Sequence, residues 1–241
     1  MESAIHPPTC KIGIIIPSTS NQRDWTSSSE TYLFTTFTSF IKSLTPDEGK
    51  HVYKFYIGID RNDAILDTPE FKLDLEELVS SYHNIHMYVE YLYMDGINKG
   101  HLTVMWNRLF YRALADGCDY FYQCGDDIEY KTMGWITDCI NQLALHDGIG
   151  MTGPINNNPN ILTQSFVSRK HHHLFGYYFP EEIENWYCDD WINKVYLGIN
   201  RCFPLKQHKC DNIGGNVRYT IKNVNYNQYV ERDLRIIKNK H

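Results

Sequence analysis

Tyr120–Tyr130 reads YFYQCGDDIEY. Five mostly apolar or aromatic residues run straight into two adjacent carboxylates. Ionised acids are costly to bury and repel each other, so the pair calls for either solvent or a cation. Two readings of Asp126 and Asp127 stand side by side. One is a surface turn or helix start, where Asp is favoured for its local hydrogen bonds. The other is a hard divalent cation held by both acids, since Mg²⁺ and Mn²⁺ take carboxylate and phosphate oxygens.

The segments before this stretch show what delivers it. Lys11–Ile16 (KIGIII) is a short β-branched run stopped by Pro17, the pattern of a buried strand. Ser29–Leu44 places Leu33, Phe34, Phe37, Phe40, Ile41 and Leu44 on one helical stripe. Tyr53–Ile59 (YKFYIGI) is a second strand, Phe71–Tyr82 a second amphipathic helix, and Ile85–Met94 a third, alternating strand. His101–Ala115 has clean helical spacing and is closed by Gly117. Asp119–Cys124 is then the next strand, and Thr132–His146 is helical again. Strand and helix alternate about four times, which predicts an α/β domain with a Rossmann-like, mostly parallel sheet flanked by helices. Ligands of such sheets bind outside the carboxyl ends of the strands. Those ends are Pro17, Ser18 and Thr19, then Asp60 to Asp63, then Gly125 to Asp127, all polar or acidic apart from the proline. From about Ile149 the pattern is less regular and rich in Asn, His, Gly and aromatics, without a linker, so one continuous domain over 1–241 is expected.

Composition narrows the function. Of the 241 residues 42% are hydrophobic, 14% aromatic and 22% charged, a globular composition able to bury a sizeable core. The 18 tyrosines suit surfaces that stack on flat or sugar-like ligands, though Tyr is equally ordinary in a core. A formal net charge of −6 disfavours a nucleic-acid backbone as partner. No apolar run approaches the ~20 residues of a membrane helix, and MESAIHPPTCK lacks the apolar stretch of a secretory leader, so a cytoplasmic protein is expected. The seven cysteines are scattered, with no CxxC, which fits reduced thiols. Neither GxxxxGK[ST] nor GxGxxG follows the first strand, so a nucleotide here is held in another way.

Three further features carry chemistry. Asp189 and Asp190 lie in ENWYCDDWI among Trp186, Tyr187 and Trp191. Apolar walls raise a carboxylate pKa and make it a better base near neutrality; the plain alternative is a cap for the helix begun by WINKVYLG. His208 lies in LKQHKCDNIGGNVRY, and a lone His is more often structural than a ligand. His171–His173 is a run of three that cannot all face one ion on a regular element, which favours a solvated loop.

These pieces, in this order, resemble the glycosyltransferase A-fold superfamily, over almost the whole chain. The parts are IIIPSTSNQRD, YIGIDRND, NKGHLTVMWNRLFYRALADGCDYFYQCGDDIEY, LFGYYFPEEIENWYCDDW and KQHK. The resemblance implies transfer of a sugar, hexosyltransferase fashion, from a nucleotide sugar such as a UDP-sugar to a hydroxyl on a glycan, protein or lipid-linked acceptor. It implies Mn²⁺ or Mg²⁺ as cofactor and an inverting displacement. Asp126 and Asp127 match the DxD-like metal motif, whose first position falls on Cys124, a poor hard-metal ligand. Pro17, Ser18, Thr19, Asp60 and Asp63 match the loops around base and ribose, and Asn98, Lys99, Gly100 and Asn107 the nucleotide-sugar stretch. Gly176 resembles the loop before the second acidic motif; Asp190 (or Asp189) matches the catalytic base and His208 the C-terminal metal ligand. Tyr177, Tyr178, Trp186 and His173 are then expected in the acceptor or sugar pocket. Residues about 10–130 become the nucleotide-sugar-binding half, and about 131–241 the acceptor- and metal-binding half. Two rivals are a sugar nucleotidyltransferase, disfavoured by the missing glycine-rich loop, and a nucleotide- or sugar-binding module without catalysis, favoured by Cys124.

Overall fold

The computed structural model describes residues 9–214 and 219–240. Strands β1 (Lys11–Pro17), β2 (Val52–Ile59), β3 (His86–Tyr93) and β4 (Tyr120–Gln123) alternate with helices α1 (Tyr32–Lys42), α2 (Pro69–Ser80) and α3 (Leu102–Ala115). Then follow β5 (Ile128–Tyr130), α4 (Trp135–Ala144), β6 (Met151–Ile155), β7 (Ser165–Ser168), α5 (Lys170–Phe175), α6 (Cys188–Leu197), β8 (Cys202–Asn212) and α7 (Asn227–Lys240). All eight strands join one curled, mixed sheet in the order β3-β2-β1-β4-β7-β6-β8-β5. The first four are mutually parallel, and β7 adds antiparallel to β4. The fold is therefore the expected α/β domain, parallel in its first half and mixed in its second.

The period-2 alternation of β1 explains its place at the centre. Ile12, Ile14 and Ile16 turn to one face and pack with Phe37, Phe40 and Phe55, while Ile15 turns to the other and packs with Leu109 and Phe110. Each such fully buried side chain contributes about 1.5–3 kcal/mol relative to exposure. The boundary of α2 differs from the helical periodicity by two residues. Thr68 Oγ1 accepts from Phe71 N at 3.2 Å and Pro69 takes the first helical position, so the helix starts earlier than its apolar stripe. Because β1, β2 and β4 run the same way, Ser18, Asp60 and Asp126 emerge at one edge of the sheet. Among the described residues no helix is long and apolar enough to cross a membrane.

Candidate active site

That edge opens into a cavity of about 1040 Å³. Its walls hold Pro17 at the end of β1 with Ser18 and Thr19 after it, Asp60 after β2, Gly125 to Asp127 after β4, and Trp186 to Asp190 at the start of α6. Lys99 and Gly100, ahead of α3, complete a rim with Tyr219, Thr220 and Lys222.

The two acids after β4 are held differently. Asp126 is 5% exposed; its Oδ2 accepts from Ser18 Oγ at 2.6 Å and its carbonyl from Thr36 Oγ1 at 2.8 Å. The Asp127 carboxylate lies between two glycines. A Cβ on Gly125 would come within 2.5 Å of Asp127 Oδ1, and one on Gly214 would overlap the carboxylate outright. Both positions must therefore be glycine for Asp127 to keep this place. Cys124 is no part of the constellation. It is fully buried with Sγ 4.0 Å from Tyr130 Oη, and burial pushes its thiol well above the usual range, as expected of a core residue.

Asp63 knits two loops together instead of facing a ligand. Its carboxylate accepts from Ser20 N at 2.8 Å, Ser20 Oγ at 2.6 Å, Thr19 Oγ1 at 3.0 Å and Leu66 N at 2.8 Å. Burial pushes its pKa up, but the hydrogen bonds from Ser20 and the Leu66 and Ile65 N–H groups outweigh that and hold it below its ordinary value. This leaves Asp60 as the acid of that loop in the cavity wall, with Thr19 Oγ1 donating to it at 3.2 Å. Asp63→Asn places an NH₂ against these donors and should lower stability by about 2–3 kcal/mol at neutral pH. Because the folded pKa is depressed, the contribution is full at neutral pH and is lost as pH falls below the ordinary value of 3.8. Urea titrations of both forms at pH 7 and pH 3 measure it; equal stability at pH 7 would contradict this role.

The opposite wall begins with a backbone outlier. Tyr187 precedes α6 with φ 75°, a conformation that is strained for a bulky residue. It is held by Asn185, 2% exposed, whose Nδ2 donates to Gly100 O at 3.0 Å and Thr220 O at 3.2 Å and whose Oδ1 accepts from Trp186 N at 2.8 Å. One buried amide thus ties three segments of the cavity rim. Asp189 and Asp190 follow in the first helical turn, both in the cavity wall. Burial, and then the charge of Asp190, push the Asp189 carboxyl up to about 6, although it accepts from Asp190 N at 3.0 Å. Tyr187 stands at the N-cap position and no side-chain cap hydrogen bond is made there, so neither acid is the cap that the sequence offered as an alternative.

Several expected site residues stand elsewhere. His208 is turned toward α4, with Nε2 2.8 Å from Asp138 Oδ2 and Nδ1 3.3 Å from Thr132 Oγ1, outside the cavity lining. Tyr178 is fully buried and its Oη bonds Ser165 O at 2.8 Å, so it is core, not pocket wall. Tyr177 Oη accepts from Arg232 of α7 at 2.7 Å. Gly176, at φ 84°, ends α5, with its N–H on His172 O at 2.8 Å. The three histidines belong to α5 rather than a loop. His171 is 1% exposed between Tyr196 Oη and Tyr178 O, and burial lowers its pKa to about 4, while His173 faces a depression at the opposite edge of the sheet. Asn98 serves a turn, its carbonyl accepting from His101 N at 3.0 Å, and Asn107 is buried against the Tyr178 and Phe179 backbone. Of the expected acceptor residues, only Trp186, 42% exposed, lines the cavity. Sequence reasoning missed Arg23 and Asn185; a buried amide leaves no periodic signal, while Arg23 was visible as the lone cation in the loop after β1.

No protein-family model matches the chain, and no curated protein matches it. Solved structures do. Staphylococcus aureus TarS residues 1–349 matches with a TM-score of 0.52 and 14% identity, over 96% of this chain and 71% of that one. The same protein in complex with UDP-GlcNAc matches with a TM-score of 0.54 and 15% identity, over 87% of this chain and 62% of that one. A longer TarS structure is matched at a TM-score of 0.52 over 83% of this chain, which spans only 36% of its length. At these identities the likeness shows a shared α/β fold.

Proposed function

We propose that the protein is a glycosyltransferase that moves a sugar from a nucleotide sugar, most simply a UDP-sugar, to an acceptor hydroxyl. The observation that carries this is one cavity at the carboxyl edge of the sheet. It joins Asp60 on one side, Asp126 and Asp127 in the middle, and Asp189, shifted to a pKa of about 6, on the other. The shared fold adds support, since TarS has been solved with UDP and with UDP-GlcNAc. In this reading residues about 10–130 carry the acidic tip and bind the nucleotide sugar, and about 131–241 bind the acceptor. With His208 turned away, the second half supplies no metal ligand from it.

The roles follow from chemistry. Asp60 accepts a hydrogen bond from a base N–H, as uracil offers. Asp189 accepts the proton of the acceptor hydroxyl, and that oxygen attacks the anomeric carbon. The bond from that carbon to the diphosphate oxygen breaks, its electron pair leaves with the nucleotide, and in-line attack inverts the centre. Trp186 presents a flat face to the acceptor, which suits sugar C–H surfaces. Asp126 and Asp127 are hard oxygen donors that fit Mg²⁺ or Mn²⁺ shared with the donor's phosphates. Among the described residues no group of three His, Cys, Asp or Glu side chains is placed to hold a metal, so Asp126 and Asp127 would be the protein's contribution to such a cation. Such a cation, when bound, supplies positive charge at the leaving diphosphate.

Titration calorimetry tests the nucleotide side. UDP should bind more tightly than ADP, and Asp60→Ala should weaken UDP by about tenfold, the worth of one hydrogen bond to a charged group. Equal affinity of the wild type for UDP and ADP would contradict the assignment of Asp60.

A further inference from the structure

Arg23 is the feature of the cavity that neither the acidic motif nor the base explains. It sits in the loop after β1 and lines the cavity beside Asp126. Its guanidinium carbon lies 4.6 Å from the Tyr32 ring centre and 5.2 Å from that of Trp25, so two aromatic faces fix the head group. The side chain is only 11% exposed. Its Nη2 stands 4.0 Å from Asp126 Oδ1, an ion-pair distance beyond hydrogen bonding. Nε is buried and has no hydrogen-bond partner among the described residues.

A buried guanidinium is costly unless its donors are paired. Here the charge is partly balanced by Asp126, while among the described residues the planar fork of donors is left largely unused. The fork is rigid, always protonated and matched to two oxygens of one phosphate. Asp126 cannot use it fully, because its Oδ2 is committed to Ser18. The group that fits is a dianionic or trianionic ligand entering the same cavity.

We propose that Arg23 is a resident diphosphate ligand, gripping the phosphates of the donor nucleotide beside Asp126 and supplying positive charge there independently of any metal ion. The proposal rests on the nucleotide-sugar reading of the cavity. In the transfer step, the electron pair of the breaking anomeric C–O bond goes to the diphosphate oxygen. Arg23 stabilises the charge that collects on that leaving group, and the acceptor proton goes to Asp189. A cation held at the acidic pair would share that charge with the guanidinium.

The test is calorimetry of UDP and of uridine on wild type, Arg23→Met and Arg23→Lys, each in excess EDTA and again with Mn²⁺. Arg23→Met keeps the stem that packs on Tyr32 and Trp25, and thermal unfolding of each variant establishes that it is folded. The expected result is a 10- to 100-fold loss of UDP affinity in Arg23→Met, in EDTA and in Mn²⁺ alike, the worth of one charge-assisted contact or two. Uridine, which lacks phosphates, should lose less than about twofold, and Arg23→Lys should fall in between because it keeps the charge and loses the fork. If the wild type binds UDP and Arg23→Met binds it equally well, or loses uridine to the same extent, the role of Arg23 is overturned while the nucleotide reading stands. If folded wild type binds neither UDP nor uridine under either condition, the nucleotide reading itself fails and the proposal with it.

Discussion

Asp189→Asn should lower kcat for sugar transfer by roughly 10²–10⁴, the usual worth of a general base. Asn keeps the shape but takes no proton at neutral pH. UDP affinity should stay within about twofold, because the group acts on the acceptor. The pH profile separates this from a structural effect. The carboxyl is raised to about 6 by burial and by Asp190, and a base must be ionised to work, so wild-type kcat should climb with a midpoint near pH 6. That limb should vanish in the variant. Stability should move the opposite way. A carboxyl whose folded pKa is raised favours the protonated folded state, so its contribution is present below its ordinary value of 3.8 and is lost as pH rises through about 6. Asp189→Asn should therefore match wild type in thermal stability at pH 4 and exceed it at pH 8. Asp190→Asn, the residue favoured by sequence alone, should cost less activity. If Asp190→Asn gives the larger loss and removes the pH limb, the two assignments swap.

Asp127→Ala should abolish the response of turnover to Mn²⁺ or Mg²⁺ and lower kcat/KM by about 10²-fold or more, since it removes a hard ligand beside the diphosphate. Gly214→Ala should reproduce much of this without touching a carboxylate, because the new Cβ would overlap the Asp127 side chain. Initial rates across a Mn²⁺ titration for the three proteins decide it. Full wild-type activity in excess EDTA, together with full activity of Asp127→Ala, would remove the cation from the mechanism.

The sheet was legible because its first half obeys simple periodicities. KIGIII, YKFYIGI and the run before GDD are short, β-branched or aromatic, and each stops at a proline, an acid or a glycine with polar residues just beyond, so their common edge followed from the parallel order alone. The acidic tip and the acids at α6 were legible for the same reason, as carboxylates placed just beyond apolar runs. The second half was not. The direction of His208, toward Asp138 and not the cavity, was not legible because it depends on the register of β8, which pairs with β6 across a bulge near Ile155. Tyr178 read as ligand-facing and His171 as part of a solvated loop because aromatic and imidazole groups suit cores as well as pockets and surfaces; the packing of α5 against α6 and α7 decided for the core. The 14-residue helix α7 lies in a polar, highly charged stretch whose stripe was not read. Its buried Asp233, bonded to Trp191 Nε1 at 3.0 Å, helps fix the helix that carries Asp189.

The most direct measurement is release of UDP from a panel of UDP-sugars by the folded protein with Mn²⁺, with and without simple sugar acceptors. The expected result is UDP release above the buffer rate from at least one UDP-sugar, increased by an acceptor and lost in Asp189→Asn. No release from any UDP-sugar, by wild-type protein whose fold is verified by its thermal transition, would contradict a glycosyltransferase and leave the cavity as a binding site without transfer.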